Sequence, residues 1–578
     1  MLRKTPGRWP RALSAGTKGD FARHLETLGW TPDDVATALA GGYEQHVALA
    51  IQTVGLDKID AGQIFRPGHR GYLVRHLFAM VARGQLSLDA AWWTLLALRE
   101  TPARGWIWGW LLSDQLQTAF PLGVTCFGRK AYLAATGAPK ADVALLPDVL
   151  PPEDHIRLLW LHDAEIRTAH PQALSDPDAA RTLIADLDRR FPDPEVRGWL
   201  ASIDHEQTAQ GLARPGVNVL GHFSYPSGLR VSTLALAQAA QDAGLAVACR
   251  NVPGNRKLDR PEGASPLLSP EIHPITIMHV QPGHQFETLH RQTGLAERSP
   301  RSYRIGFWYW EFATIPDSFV DAARQCDEVW TATDFVAQAL RARLDVPVRA
   351  ILPSLELPDL PKRTKEDFGL SSERFVFLFT FSMMSVSERK NPLGLIQAFR
   401  SAFPPDAAVE MVIKTSFGSK FPEQIAALHE AAKGHRIRIV DELWSYDKVL
   451  ELTQVADAYV SLHRSEGLGL TMAEAMLSGI PVIATAYSGN MSFMDAQTAL
   501  LVPASQVEVG EWRGPYAPDS LWGEPDLEAA AAAMRDLVEQ EGLARDLGAR
   551  GQAAARNIFA PARMMQDVDR RIREITAR

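Results

Sequence analysis

One stretch in the second half of the chain constrains the fold more than any other. Residues 456–495 read ADAYVSLHRSEGLGLTMAEAMLSGIPVIATAYSGNMSFMD. A short apolar run, Ala458 to Leu462, leads into a turn with two glycines and then into apolar residues at helical spacing. A second apolar run, Ile480 to Ala484, follows Gly479, a residue type that commonly ends helices. The order strand, turn, helix, strand predicts a βαβ unit in a parallel sheet.

The turn before the predicted helix has the character of an anion site. Its glycines leave backbone N–H groups uncovered at a helix N-terminus, where the helix dipole is positive. Two carboxylates, Glu466 and Glu474, flank the turn, and they would repel an anion that they touched. We expect them to accept hydrogen bonds from hydroxyl groups instead. An anion between two hydroxylated groups describes a nucleotide sugar. The predicted amide donors are those of Gly467, Leu468, Gly469, Leu470 and Thr471.

The same residues carry a family resemblance. Glu466 and Glu474 are separated by seven residues, in a stretch that begins SEGLGL and is followed by GIPVIATAYSGN. This stretch resembles the signature of retaining GT-B glycosyltransferases. The similarity is greatest to glycosyltransferase family 4 and to its bacterial members that build surface polysaccharides. It implies an α/β fold of two doubly wound, Rossmann-like parallel-sheet domains that face each other across a cleft. The alternative is a doubly wound domain whose helix merely carries solvent-exposed acids.

The pattern along the chain divides it into four segments. Residues 1–205 are predicted to form an all-α accessory domain of unknown role, with a tryptophan cluster between positions 92 and 110. We interpret that cluster as core packing, with a peripheral membrane contact as the alternative. Residues 215–355 resemble the acceptor-side half of GT-B, and residues 373–560 resemble the donor-side half. Residues 561–578 are expected to form a helix that braces the N-terminal half.

Composition limits the partners and the location. A net charge of −8 over 578 residues offers no basic platform for nucleic acid. The three cysteines are far apart and match no metal-ligand spacing, and the basic start lacks the apolar core of a signal peptide. We therefore expect a cytoplasmic protein, with the inner face of the membrane as a second location.

Cations are predicted to face the donor diphosphate. Lys390 and Arg389, in SERKNP, occupy the place where the family puts a cation, although a solvated helix N-terminus is the alternative. A fixed cation there would stabilise the charge that develops on the leaving group. Lys414 is a further cation at a strand end. The resemblance places Gly228 in the loop that faces the diphosphate, although Arg230 stands where a second glycine is common.

The N-terminal half supplies the predicted acceptor residues. The segment RIGFWYWEFATIP resembles the WxWE-type segment of polysaccharide glycosyltransferases. Trp308 and Trp310 would contact sugar rings and Glu311 would bind hydroxyls, whereas a buried aromatic strand is the alternative. His279 is a candidate for the active-site histidine of some relatives. An ordinary strand-end histidine is the alternative, and His222 competes for the role.

The resemblance implies a reaction without a cofactor. We expect retaining transfer of a hexose from a nucleotide diphosphate sugar, with a GDP- or UDP-sugar as donor and a saccharide or lipid-linked saccharide as acceptor. No Asp-x-Asp stands at a suitable strand end, which is typical of metal-independent GT-B enzymes. Mannose is the first candidate because SLHRSEGLGL and GNMSFM resemble bacterial mannosyltransferases. Rival interpretations are a catalytically inactive GT-B scaffold that binds sugar nucleotides, and an epimerase or phosphorylase on the same architecture.

Overall fold

The helical segment precedes the two α/β units. The computed structural model describes residues 120–136, 150–223, 227–252, 271–283, 286, 289 and 301–577, and the predicted tryptophan cluster lies outside them. In the described part before residue 214, all regular structure is helical. Asp163, Asp176, Asp193 and Asp204 each accept a backbone N–H at a helix start, as expected of N-cap residues. The helices are α1 (Arg129–Thr136), α2 (Pro152–His162), α3 (Ala164–Ala169), α4 (Pro177–Arg190), α5 (Pro194–Ser202) and α6 (His205–Ala213).

A six-stranded parallel sheet forms the first α/β unit. Its order is β2-β1-β3-β4-β5-β6. The strand β1 thus has β2 on one side and β3 on the other, and the winding direction reverses between β1 and β3. The four inner strands are buried along nearly their whole length, as parallel strands covered by helices must be, whereas the two edge strands are partly exposed. The elements are β1 (Gly216–Gly221), α7 (Gly228–Asp242), β2 (Ala246–Asn251), β3 (Ile275–His279), β4 (Tyr303–Phe307), α8 (Asp317–Ala323), β5 (Glu328–Thr331), α9 (Asp334–Arg341) and β6 (Val348–Ala350).

The second α/β unit has the doubly wound order β9-β8-β7-β10-β11-β12. Its central strand, FVFLFT, has no polar residue before its last position, which explains its place in the middle of the sheet. The elements are β7 (Phe375–Thr380), α10 (Ser387–Lys390), α11 (Pro392–Ala402), β8 (Val409–Thr415), α12 (Pro422–Ala432), β9 (Ile437–Asp441), α13 (Tyr446–Val455), β10 (Ala458–Ser461), α14 (Leu470–Leu477), β11 (Val482–Thr485) and β12 (Leu500–Val502).

These two sheets confirm the predicted pair of Rossmann-like units. The βαβ unit predicted from residues 456–495 is β10, α14 and β11, and β10 pairs with β11 in parallel. The exact domain boundaries stay a prediction. Among the described residues, no helix combines the length and the apolar character that crossing a bilayer requires.

An antiparallel hairpin and three helices follow the second sheet. The last helix leaves the second unit and packs on α7 of the first, where Met564, Val568 and Ile572 join the buried core of that sheet. This helix therefore contacts the first unit, and the division of the chain at residue 561 stays a prediction. The elements are β13 (Ala504–Glu508), β14 (Leu521–Pro525), α15 (Leu527–Glu539), α16 (Leu543–Ile558) and α17 (Pro561–Thr576).

A buried ion pair fastens α17 to the first sheet. The carboxylate of Glu328, in β5, has no exposed surface, and the guanidinium of Arg571, in α17, donates to both of its oxygens, with Nε 3.0 Å from each. Tyr303 and Trp330 also donate to this carboxylate, at 3.0 and 2.7 Å. The desolvated charges are thus matched, as a buried pair requires.

Loss of Arg571 is expected to destabilise the structure because it removes the main counterion of a buried carboxylate. The variant Arg571→Met should lower the free energy of unfolding by about 3 kcal/mol, measured by urea denaturation followed by tryptophan fluorescence. The control is Arg573→Met, since Arg573 is 58% exposed and pairs with Asp569 at the surface. It should change stability by less than about 0.5 kcal/mol. Equal losses in the two variants would contradict a special role for the buried pair.

Candidate active site

The strand order shows where a ligand would bind. In a doubly wound sheet, the crevice lies beyond the carboxyl ends of the two strands at which the winding direction reverses. In the second unit those strands are β7 and β10. The segment after β7 carries Arg389 and Lys390, and the segment after β10 carries Glu466. The predicted donor residues therefore lie at the topological switch point.

Two cations surround the carboxylate of Glu466. Lys390 Nζ donates to Glu466 Oε1, and Arg389 Nη1 lies 3.2 Å from Glu466 Oε2. Arg389 also donates to the carbonyl oxygens of Ser465, at 2.7 Å, and Ser385, at 3.2 Å. The structure thus brings together three residues that the sequence places 76 and 77 positions apart.

The cations determine the charge state of Glu466. Burial alone would raise the pKa of this carboxyl, but the positive charges of Lys390 and then of Arg389 outweigh burial and lower the pKa to about 2. Glu466 is therefore ionised at neutral pH. It cannot serve as a general acid there, but it can accept hydrogen bonds from sugar hydroxyls or offer negative charge to a reacting centre.

The loop after β11 holds the backbone of Glu466. Ser488 Oγ accepts a hydrogen bond from the N–H of Glu466 at 2.8 Å, and the N–H of Gly489 donates to its carbonyl oxygen at 2.9 Å. Ser488 adopts φ of 77°, which is uncommon for a residue with a side chain. A Cβ on Gly489 would lie 2.1 Å from Gly467 O, so only glycine fits this approach. Strain of this kind is concentrated at functional sites.

A buried histidine fixes that loop in turn. His463 has no exposed surface, and its Nδ1 and Nε2 lie 3.0 Å from Ser461 Oγ and 3.1 Å from Asn490 Oδ1. Asn490 Nδ2 donates to the carbonyl of Thr485 at 2.9 Å. Sequence reasoning did not place Ser488, Asn490 or His463 in the site. Ser461 and His463, two polar residues at the end of a buried strand, were the sequence signal that could have identified this contact.

The glycines of SEGLGL have separate roles. Gly467 packs so closely on the first unit that a Cβ would lie 2.5 Å from the carbonyl oxygen of Trp310. Gly469 adopts φ of +91° and is the N-cap of α14, where no side chain caps the helix. The start of α14 thus presents backbone donors and the positive end of its dipole. The donor-binding roles of Leu468, Leu470 and Thr471 stay predictions.

The first unit places a second helix N-terminus opposite the first. The helix α7 starts at Gly228, after the switch-point strand β1, and a Cβ on Gly228 would lie 3.4 Å from the side chain of Leu470. Thr333 Oγ1 donates to Gly467 O across the same interface at 2.9 Å. The carboxyl ends of the two sheets therefore face each other, and the starts of α7 and α14 converge where a diphosphate is expected.

Glu474 lies on the inner side of α14. Its carboxylate is 4% exposed and accepts a hydrogen bond from the hydroxyl of Tyr446 at 2.8 Å. Burial raises the pKa of Glu474 to about 7, and the Tyr446 hydrogen bond opposes that rise. This carboxyl therefore titrates near neutrality, whereas Glu466 stays ionised. Sequence reasoning identified Glu474 but not its partner Tyr446.

The ammonium of Lys414 is occupied by the protein. It donates to the carbonyl oxygens of Thr415, at 2.6 Å, and of Glu442, and it lies 5.0 Å from the ring centroid of Trp444. Burial lowers the pKa of Lys414 to about 8, although Glu442 and Asp441 oppose the shift. A direct contact with the donor would require these bonds to exchange, and the donor role of Lys414 stays a prediction.

His279 is enclosed within the first unit. The ring has no exposed surface, and its Nε2 and Nδ1 lie 2.9 Å from Ser232 Oγ and 3.1 Å from Thr233 Oγ1. Burial lowers its pKa to about 3. In this conformation His279 does not reach the cleft, and the description as a strand-end histidine fits it. The competing His222 is also buried, with Nδ1 2.7 Å from the carbonyl of Val252.

The predicted acceptor residues differ in exposure. Trp308 is fully buried and packs edge-on against Phe286 and Phe319, so its ring offers no face to a sugar here. Trp310 is 7% exposed and its Nε1 donates to the carbonyl of Thr314. Glu311 is more accessible, with a quarter of its side chain exposed, and its Oε1 lies 3.9 Å from Arg389 Nη2. Both tryptophans are buried, as the alternative expects, although they follow β4 and lie outside any strand. Glu311 is the predicted acceptor residue that lies beside Arg389.

The site thus combines the starts of α7 and α14 with the contact of Lys390 and the buried Glu466. Comparison with known families bears on the same region. Residues 364–510 match the family described as Glycosyl transferases group 1. This match contains Arg389, Lys390, Glu466 and Glu474, and it confirms the expected glycosyltransferase domain. Membership of family 4 and a preference for mannose stay predictions.

The chain also has partial matches to individual proteins. The chain is 28% identical over 175 residues to the GtfA subunit of a UDP-N-acetylglucosamine–peptide N-acetylglucosaminyltransferase from Streptococcus pneumoniae, over 27% of this chain and 34% of that protein. The match thus spans about a third of the relative. Sucrose-phosphate synthase from Thermosynechococcus elongatus superposes with a TM-score of 0.47 at 15% identity, over 63% of this chain and all of that one. The structure of pneumococcal GtfA with UDP and GlcNAc superposes with a TM-score of 0.37 at 18% identity, over 52% of this chain and 57% of that one.

The raised pKa of Glu474 predicts a pH-dependent stability. Because the folded protein binds this proton more tightly than the unfolded chain, the contribution of Glu474 to the free energy of unfolding should fall by up to about 3 kcal/mol as pH rises from about 4.5 to about 7. Glu474→Gln has no titrating carboxyl and therefore lacks this contribution to stability. The stability of this variant relative to wild type should therefore increase between pH 5 and pH 8, as measured by urea denaturation. Glu430→Gln, at a site 72% exposed, is the control and should show a constant difference. A constant difference for Glu474→Gln as well would contradict the assignment.

Proposed function

We propose that this protein transfers a sugar from a nucleoside diphosphate sugar to an acceptor hydroxyl. The observation that carries the proposal is the contact of Lys390 with Glu466 beside the start of α14. A diphosphate at that helix start would attract Lys390, and the carboxylate of Glu466 would then be released to the hydroxyls of the donor sugar. The family match of residues 364–510 supports the same reaction class.

The donor is the finer part of the proposal. The curated relative is named for UDP-N-acetylglucosamine, so UDP-sugars are the first donors to test. GDP-mannose is the second, because the sequence around Glu466 resembles bacterial mannosyltransferases. Glu474 would hold the ribose hydroxyls, a role that its position on α14 and its bond to Tyr446 permit once the carboxyl is ionised. Saccharides and lipid-linked saccharides are the proposed acceptors, and the name of the relative adds a peptide hydroxyl to the set.

The proposed transfer retains the anomeric configuration and needs no metal. Lys390, Arg389 and the two helix starts would supply the positive charge that stabilises the departing diphosphate. Within the part of the chain that the structure describes, no group of three or more His, Cys, Asp or Glu side chains is arranged to hold a metal ion. The expected cytoplasmic location, which rests on the sequence alone, belongs to the same proposal.

Nucleotide release tests the proposal. The protein is incubated with UDP-GlcNAc, UDP-glucose, GDP-mannose and an ADP-sugar, and the free nucleoside diphosphate is measured. For the preferred donor, Lys390→Met and Glu466→Gln should each slow release by about 100-fold or more, the scale for removal of one electrostatic stabiliser. Lys433→Met is the control, since Lys433 is 71% exposed and pairs with Glu430 at the surface, and it should release nucleotide at the wild-type rate.

The outcomes separate the proposal from its rivals. Wild-type rates in both site variants would show that these residues do not act on the donor. A wild-type protein that binds a nucleoside diphosphate in calorimetry but releases none from any donor would support the inactive scaffold instead. An epimerase would return an altered nucleotide sugar with the diphosphate bond intact.

Metal independence has its own test. Because protein cations and helix starts are proposed to carry the leaving-group charge, the rate of nucleotide release should be unchanged after treatment with excess EDTA. The rate should also stay unchanged when Mg²⁺ or Mn²⁺ is added back. A loss of release that either cation restores would contradict metal independence, although not the transfer reaction itself.

A further inference from the structure

The hairpin formed by β13 and β14 joins the two α/β units. It follows the last strand of the second sheet, yet its buried side chains Val509, Tyr516 and Trp522 belong to the aromatic core of the first unit. The ring of Tyr516 lies 4.3 Å from that of Phe312 and 5.5 Å from that of Trp310, between centroids. The hairpin therefore carries second-unit residues across the cleft.

The other side of the hairpin is anchored beside the donor cations. Arg513 Nη1 donates to Glu388 Oε1 at 2.7 Å, one residue before Arg389. Arg464, two residues before Glu466, donates to Glu524 at 2.8 Å through Nη2. The N–H of Gly523 donates to the carbonyl of Arg464, also at 2.8 Å. Both cleft-lining segments of the second unit are thus tied to the same hairpin.

Tyr516 is a residue of the hairpin that contacts both units at the site. It is 4% exposed, and its hydroxyl donates to Glu311 Oε2 at 3.2 Å. Its ring centroid lies 6.0 Å from Arg389 Cζ. The other oxygen of Glu311 lies 3.9 Å from Arg389 Nη2, which is too long for a hydrogen bond. Glu311 is thus bound to Tyr516 and is only a distant counterion of Arg389.

The charges at this place are finely balanced. Lys390 and Arg389 together carry two positive charges, and Glu466 and Glu311 carry two negative charges. Arg389 shares the neutralisation of Glu466 with Lys390. If Glu311 moved into full contact with Arg389, Arg389 would neutralise Glu466 less, and Glu466 would hold Lys390 more tightly. Lys390 would then be less available to a diphosphate.

We propose that Tyr516 is a positioning residue of the donor site, which holds Glu311 away from Arg389 and so keeps Lys390 exchangeable between Glu466 and the diphosphate. This inference rests on the function proposed above. It assigns to the hairpin a role in donor binding that its position after the last strand does not suggest. Tyr516 acts through Glu311 and Arg389 and touches no reacting atom.

The test compares two tyrosine variants in the donor assay without acceptor. Tyr516→Phe keeps the ring and its packing but removes the hydroxyl, so the donor KM should rise about tenfold, the scale of a lost hydrogen bond to a charged group. The kcat should stay within about threefold of wild type. Tyr487→Phe is the matched control, because Tyr487 also packs against the hairpin, at Gly523, and its hydroxyl donates to the carbonyl of Leu521 at 3.4 Å, away from Glu311 and Arg389.

The decisive experiment removes the charge on Glu311 in the Tyr516→Phe background. The double variant Tyr516→Phe/Glu311→Gln should return the donor KM to within about threefold of wild type, because a neutral amide no longer competes for Arg389. Glu311→Gln alone should give a lower donor KM than Tyr516→Phe. A purely structural role of the hydroxyl would give no such rescue.

The inference is overturned if Tyr516→Phe behaves like Tyr487→Phe, if the double variant is no better than Tyr516→Phe, or if Glu311→Gln alone raises the KM tenfold. Absence of nucleotide release from wild-type protein is a different failure. It would refute the proposed function, and this inference with it, whereas an active wild type with an unaffected Tyr516→Phe refutes the inference alone.

Discussion

The contact of Glu466 with Lys390 and Arg389 is the interaction on which the site depends. A carboxylate buried at the end of a strand would be neutral or destabilising without counterions, and the two cations come from the neighbouring β7 connection. These contacts therefore join the two sequence segments that meet at the switch point of the second sheet. Ser488 and Gly489 hold the backbone of Glu466 in place, at the cost of an unfavourable φ at Ser488.

The same interaction explains how the site can respond to a ligand. Lys390 is bound by the carboxylate of Glu466, which sugar hydroxyls can also bind. A nucleotide sugar would therefore replace this ion pair by a contact of Lys390 with the diphosphate and a contact of Glu466 with the sugar. Glu474 differs, because it lies against Tyr446 without a cation and titrates near neutral pH. Two carboxylates on one turn and helix thus have opposite pKa shifts, and the cause is that the counterions are present at one and absent at the other among the described residues.

Much of this arrangement could be predicted from the sequence because it is local. The βαβ unit, the glycine turn and the paired glutamates lie within 40 residues, and hydrophobic periodicity together with glycine placement is sufficient to predict them. The burial of His279 and Trp308 could not be predicted, since an aromatic run at a strand end is equally consistent with a core and with a sugar-binding face. The roles of His463, Tyr446 and Tyr516 depend on tertiary contacts with residues 27, 28 and 205 positions away.

A structure of the protein with the nucleoside diphosphate that it releases tests the central claim most directly. The account predicts that phosphate oxygens lie within hydrogen-bond distance of Lys390 Nζ and of the amides that begin α14, with the Lys390–Glu466 contact lengthened or shared. A nucleotide bound elsewhere, with Lys390 still held by Glu466 as in the free protein, would contradict the account.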